Sequence, residues 1–132
     1  MCDFVCRSRY TGTQNFDQFV GYNDGSLPYL EDFLTHAGVR PRVVVSVTQV
    51  ETPLLLSDGG AVLTLLNWRS DSHLSSLSVT VRLDFDVQKV TAVRSGSSLS
   101  FNMTEPQQGS EWYEVSFTTE LTDCDFITLK AK

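Results

Sequence analysis

The sequence predicts an all-β fold, an antiparallel immunoglobulin-like β-sandwich of about seven to eight strands preceded by one short helix. Residues 77–85 alternate strictly between apolar and polar side chains, as expected for a strand with one buried face. Turn-forming residues recur at a spacing of roughly 8–12 residues, which is typical of sandwiches and barrels. No strand–helix alternation follows residue 40, and this argues against a parallel α/β sheet.

Length and charge limit the possible partners. The chain has 132 residues, enough for one domain, and a net charge of −6. Because nucleic acids and anionic membranes select basic surfaces, we expect neither as a partner. No apolar run approaches the roughly 20 residues of a membrane span, and no signal-peptide h-region is present, so a cytoplasmic location is expected.

The first 38 residues divide into an irregular arm and a helix. Residues 1–26 are rich in turn-forming residues and weakly patterned. Residues 27–38 predict a helix, with Ser26 as N-cap, Pro28 in the first turn and Gly38 after the last turn. Its apolar residues share one face, so we expect it to dock on a core: Leu27, Leu30, Phe33, Leu34 and Ala37.

Strands fill residues 42–132. Residues 43–51 form a β run that Pro53 ends, residues 54–56 form a short one, and Ser57-Asp58-Gly59-Gly60 predicts a hairpin turn. Residues 61–68 are apolar on both faces, which predicts a central, well-covered strand. Further strands are expected at residues 77–85, 87–93, 99–103, 112–118 and 126–129, with turns at 95–97 and 122–123.

No catalytic or metal-binding constellation is evident. The two histidines, His36 and His73, lack the partners of a nucleophilic triad. Two carboxylate pairs, Asp84 with Asp86 and Asp123 with Asp125, lie at strand ends or turns, where such acids usually cap turns. A hydrolytic role and a calcium site are the alternatives for these pairs. The odd number of cysteines (Cys2, Cys6 and Cys124) predicts free thiols.

Three aromatic residues are candidates for sugar binding, because sugar rings stack on exposed indole and phenol rings. Trp68 ends a predicted strand beside a polar loop. Trp112 and Tyr113 are neighbours on another strand, so one of them should face the core and the other should face outward. The alternative is that all three pack in the core or at its rim.

The run VETPLLLSDGGAVLTLLNW, residues 50–68, resembles the start of the C-terminal β-sandwich in multidomain glycoside hydrolases, including β-galactosidase-like enzymes. In that family a strand ending near "VE" leads to a "G…LLN" strand, and a "D…L" strand, here Asp123 to Leu129, comes last. The segment 27–39 is similar to the linker helix that joins the catalytic domain to the sandwich. The resemblance covers about residues 27–132 and rests on short apolar motifs.

This resemblance implies a non-catalytic accessory domain that serves packing or assembly. Such a domain packs on a catalytic barrel or on another subunit, so a separate catalytic domain or a homo-oligomer is the expected partner. No catalytic residue, metal or cofactor carries over, and the chain would be the detached or truncated tail of a larger enzyme. An exposed apolar patch would then mark the place of the missing domain. The alternative is a free-standing carbohydrate-binding module that uses Trp68, Trp112 or Tyr113.

Overall fold

The computed structural model describes residues 32–34, 36–69, 73–106 and 111–132. The chain divides into two compact units, Met1–Arg40 and Pro41–Lys132. The predicted N-terminal arm, residues 1–26, and the first residues of the predicted helix, 27–31, lie outside the described residues. Among the residues that are described, no helix has the length and apolar content needed to cross a membrane.

The described part of the first unit is a helix end. Residues 32–34 and 36 are helical, and Gly38 follows them with a φ of 68°. The Val39 N–H donates to the Leu34 carbonyl at 2.9 Å, which closes the helix around the glycine in a Schellman motif. The helix therefore ends at Gly38, as its sequence predicts.

The second unit is all-β, and the predicted antiparallel β-sandwich is confirmed. Its strands in chain order are β1 (Val43–Val45), β2 (Val50–Glu51), β3 (Leu54–Ser57), β4 (Gly60–Asn67), β5 (Leu74–Leu83), β6 (Val87–Ala92), β7 (Ser97–Leu99), β8 (Phe101–Thr104), β9 (Tyr113–Leu121) and β10 (Cys124–Ala131). Sheet A has the order β1-β5-β9-β8. Sheet B has the order β2-β4-β10-β6-β7, and β3 also pairs with β4. All pairs are antiparallel.

In the described residues, ten strands are found where seven to eight were expected, because the predicted runs 43–51 and 99–103 are each divided between the two sheets. β2 and β3 pair with successive stretches of β4 and are separated at Pro53, which has no N–H to donate but accepts from the Thr64 N–H at 2.9 Å. β7 and β8 are separated by Ser100 alone and belong to different sheets. The predicted strand at residues 99–103 is therefore two segments, because the chain crosses from sheet B to sheet A within it.

The core lies between the two sheets, and the period-2 pattern decides which residues enter it. Sheet A contributes Leu77, Val79, Val81, Leu83, Val115, Phe117 and Leu121. Sheet B contributes Ala61, Leu63, Leu65, Val87, Val90, Ala92, Ile127 and Leu129. The alternation seen in the sequence of β5 is thus realised, with its serine, threonine and arginine side chains on the outer face of sheet A.

The sandwich has two ends that matter for the candidate sites. β9 leads through residues 122–123 into β10, and the Asn67 N–H donates to the Asp123 carbonyl at 2.8 Å, so the end of β4 lies there too. We call this the Thr122 end. At the opposite end, the Arg82 N–H donates to the Arg42 carbonyl at 2.7 Å and Leu83 is paired with Tyr113. We call this the Arg42 end.

Candidate functional site

The three predicted sugar-binding aromatics do not come together. Trp68 lies at the Thr122 end, where its N–H donates to the Gln49 carbonyl at 3.0 Å, and its side chain is 51% exposed. Trp112 and Tyr113 lie at the Arg42 end, at the start of β9. A platform that uses all three rings at once is therefore excluded by the length of β9.

Trp112 and Tyr113 also have different surroundings. Tyr113 is half-buried and is paired across the sheet with the buried Leu83, so it lies on the core side of sheet A. The Arg42 guanidinium lies 4.5 Å from the centre of the Trp112 ring, as in a cation–π contact. One face of the Trp112 indole is thus already occupied by a side chain of the same domain.

The two histidines and Asp86 have polar partners within the protein. His36 Nδ1 lies 3.3 Å from Asp32 Oδ1 within the helix, and His73 Nδ1 lies 3.3 Å from Thr122 Oγ1. Asp86 accepts from Lys132 at 3.1 Å. Across the part of the chain that the structure describes, no group of three or more histidine, cysteine, aspartate or glutamate side chains could hold a metal ion.

Asp125 is the one buried carboxylate among the described residues. Its Oδ1 accepts the backbone N–H groups of Arg94 at 2.9 Å and of Phe126 at 2.7 Å. The carboxylate therefore fastens the segment after β6 to the start of β10. Asp123, its predicted partner, is exposed, so the two carboxylates differ in environment and do not form a matched pair.

The outer face of sheet B is the first surface with a distinctive composition, and we call it the open face. Its apolar residues are adjacent across the strands: Leu55 pairs with Val62, and the Val93 N–H donates to the Phe126 carbonyl at 2.8 Å. Leu66 lies further along β4, opposite the exposed free Cys124. Leu55, Val93 and Phe126 are 67%, 50% and 48% exposed.

The sequence predicted the central position of β4 in this face but not its exposure. Apolar residues on both sides of β4 indicated a central and well-covered strand. The structure places β4 between β3 and β10, so the central position is confirmed. The expectation of a covered strand is wrong for the described residues, because Val62, Thr64 and Leu66 are partly exposed there.

A groove at the edge of the sandwich is the second distinctive surface. One part is a cavity of about 550 Å³ at the Thr122 end, lined among others by His73, Arg94 and Asp125. A second cavity of about 550 Å³ lies beside it along β8 and β9. The two share Leu99 and Thr118, and we call them together the seam groove.

The seam groove follows from the crossing of the chain between the sheets. β8 pairs with β9 as far as Phe117, and β7 continues on the other sheet. The described part of β9 beyond Phe117 is therefore bordered by a groove instead of by a strand. The sequence offered a weak signal for it, the serines Ser95, Ser97, Ser98 and Ser100 around one glycine, which predicts a turn but not a change of sheet.

Comparison with known proteins adds no family to this description. No protein-family model matches the chain, and no curated protein matches it significantly.

Proposed function

We propose that this chain is a non-catalytic accessory β-sandwich, similar to the C-terminal domain of glycoside hydrolases, and that it serves assembly by pairing with a second copy through the open face. The observation that supports this role is the exposed apolar cluster of Leu55, Val93 and Phe126 on one continuous sheet face. The immunoglobulin-like topology, the kinship with glycoside hydrolases and the cytoplasmic location are parts of this proposal that rest on the sequence.

The open face has the composition of a contact surface. Its apolar side chains are interleaved with threonines, and Thr128 Oγ1 donates to the Thr91 carbonyl at 3.5 Å, so this hydroxyl has a partner on its own sheet. The apolar patch extends over four strands and three cross-strand rows, on the order of a few hundred Å². Burying such a patch against another sheet is favourable by about 25 cal/mol per Å² of apolar surface.

The charges on the open face favour a second copy as the occupant. Lys89 and Lys130 are paired across the strands near the Arg42 end, and Glu51 lies opposite Leu66 near the Thr122 end. A twofold axis in the plane of the face and perpendicular to the strands would bring the Glu51 end of one copy over the lysine end of the other. Such an isologous contact is the commonest way in which identical chains associate.

Association can be measured by sedimentation velocity of the full chain from about 5 to about 500 µM, because a patch of this size supports a weak dimer. We expect a reversible dimer for the unmodified chain and a monomer for Phe126→Lys, which places a charge in the centre of the patch. Thr104→Lys is the matched control, since it adds the same charge to the exposed outer face of sheet A and should leave the dimer intact. A monomer at every concentration, or an unchanged dimer in Phe126→Lys, would contradict the proposal.

The orientation is tested by exchanging charges. Glu51→Lys should weaken the dimer, and so should Lys89→Glu with Lys130→Glu, because each leaves like charges facing one another. The combination of all three substitutions should restore association. If the combined variant is weaker than either parent, the twofold arrangement is wrong.

A second proposal is that one exposed aromatic residue contacts carbohydrate. The half-exposed Trp68 ring is the observation in its favour. Trp68→Ala should then abolish binding in a titration against a polysaccharide panel. An unchanged titration in Trp68→Ala would exclude this ring as the platform.

A further inference from the structure

We infer that the seam groove binds a neutral, linear oligosaccharide. This inference goes beyond the proposed assembly function, since the groove and the open face lie on different surfaces of the sandwich. It also differs from the aromatic platform, because Trp68, Trp112 and Tyr113 do not line the groove.

The groove is lined by groups that complement sugar hydroxyls. The first cavity presents Ser75, Ser97 and Thr122, and the second presents Ser78, Asn102 and Ser116. Each serine or threonine hydroxyl can both donate and accept, as each sugar hydroxyl does, and Asn102 offers both functions in one amide. A ligand rich in hydroxyls can therefore replace the water that these groups bind.

The floor of the groove is partly apolar, because the half-buried Leu99 lines both cavities and the half-buried Phe101 lines the second. Leu121 and Phe117 also border the cavities, but they belong to the core and are only 2% and 5% exposed. Pockets that hold organic ligands usually combine such an apolar lining with a few directed polar groups. The C–H faces of a sugar ring can lie on this floor while its hydroxyls reach the polar walls.

The charges favour a neutral ligand over an anion. Arg94 and Glu120 both line the first cavity, so it carries charges of both signs, and Arg94 Nη1 donates to the Cys124 carbonyl at 3.4 Å. The buried Asp125 carboxylate adds a further negative charge, although its Oδ1 is engaged by two backbone N–H groups. Phosphorylated ligands and nucleic acids need an excess of basic groups. Among the described lining residues, Arg94 and His73 stand against Glu120 and Asp125, so there is no such excess.

The dimensions favour an extended ligand. Each cavity of about 550 Å³ lies within the range of volumes that hold a small organic ligand. Because they meet at Leu99 and Thr118, a chain of several sugar rings could span both, whereas a monosaccharide would fill part of one. We therefore expect affinity to rise with chain length.

The test is a titration of the full chain by two-dimensional ¹H–¹⁵N NMR with cellohexaose, xylohexaose, mannohexaose and the corresponding disaccharides. We expect at least one hexasaccharide to shift the amide signals of Ser97, Thr118 and Thr122, and to bind more tightly than its disaccharide. Shifts confined to other surfaces, or the absence of shifts with every sugar, would overturn the inference. So would tighter binding of an extended peptide along the edge of β9, tested in parallel with a tetra-alanine peptide.

Variants locate the contact. Arg94→Ala should weaken hexasaccharide binding by about tenfold, since a hydrogen bond to a charged group is lost. Ser97→Trp should block the groove, and Asn102→Ala should weaken binding in the second cavity. Gln88→Ala is the matched control and should leave the affinity unchanged, because Gln88 is exposed on β6 and lines neither cavity. If Trp68→Ala abolishes binding while Arg94→Ala does not, the site is the aromatic platform and the seam groove is excluded.

These outcomes are independent of the assembly proposal. Phe126→Lys should remain able to bind the hexasaccharide as a monomer. Loss of dimerisation with retained sugar binding, or the reverse, would therefore show which of the two proposals has failed.

Discussion

The outer faces of the two sheets belong to the same sandwich but have opposite chemistry. On sheet A, side chains bond to one another: Arg82 Nε donates to Glu114 Oε1 at 2.8 Å, and the Thr80 and Ser116 hydroxyls lie 3.0 Å apart. On sheet B, the apolar side chains of Leu55 and Phe126 are exposed and can form no hydrogen bonds. A face whose polar side chains bond within the domain and a face that is left apolar indicate different roles, and the second has the composition expected of a surface for association.

The largest loss of stability is expected from a substitution at Gly60, where the backbone of β4 lies close to β10. Gly60 has a φ of 139°, and a Cβ placed there would overlap the Leu129 carbonyl oxygen on the neighbouring strand. We expect Gly60→Ala to lower the free energy of unfolding by about 3 kcal/mol or more, because β4 and β10 would have to separate. Urea unfolding followed by tryptophan fluorescence measures this change.

Gly96→Ala is the control for the conformational part of that cost. Gly96 has a φ of 68° and open space around it, so alanine there should cost about 1 kcal/mol from backbone strain alone. Equal losses for the two variants would show that the close approach at Gly60 is not what makes glycine necessary.

The sequence predicted the outer face of sheet A better than the open face of sheet B. In β5, apolar and polar residues alternate, so burial on one side and solvent on the other follow directly from the period of a strand. In β4, Val62 and Leu66 are apolar on the side away from the core, and the pattern alone cannot say what covers them. Periodicity indicates which residues are apolar on each side of a strand. It does not indicate whether another part of the same chain or a different molecule packs against them.

The seam groove could not be predicted from the sequence for a related reason. Its lining comes from β5, β7, β8 and β9 and from the segments around Arg94 and Thr122. β7 and β8 both border β9 because the chain changes sheets at Ser100. Nothing in the residues 95–100 distinguishes such a crossing from an ordinary turn. Asp125 was found as a candidate from its type, but its burial depends on the N–H groups of Arg94 and Phe126, which only the fold brings to it.

An intermediate loss of stability is expected from substitutions on the outer face of sheet A. Arg82 binds Glu114 through Nε and the Pro41 carbonyl through Nη1 at 3.0 Å. Because both charged side chains are partly exposed, we expect Arg82→Ala to cost about 1 kcal/mol, and a double-mutant cycle with Glu114→Gln to give a coupling of about 0.5 kcal/mol. The coupling should shrink at high salt, and a coupling that does not depend on salt would mean that packing, not charge, joins the two residues.

The smallest change in the stability of the monomer is expected from a substitution of an exposed residue on the open face. Leu55 is 67% exposed, so Leu55→Thr removes little buried surface and should change the free energy of unfolding by less than about 0.5 kcal/mol in dilute solution. At high concentration the same substitution should weaken the dimer, because Leu55 and Val62 then lie in the contact. Thr80→Val on sheet A should do the reverse, with a loss of stability from the broken hydrogen bond and no change in association. If Leu55→Thr instead destabilises the monomer as much as it weakens the dimer, Leu55 is supporting the fold of the domain, and the open face is not a surface kept apolar for a partner.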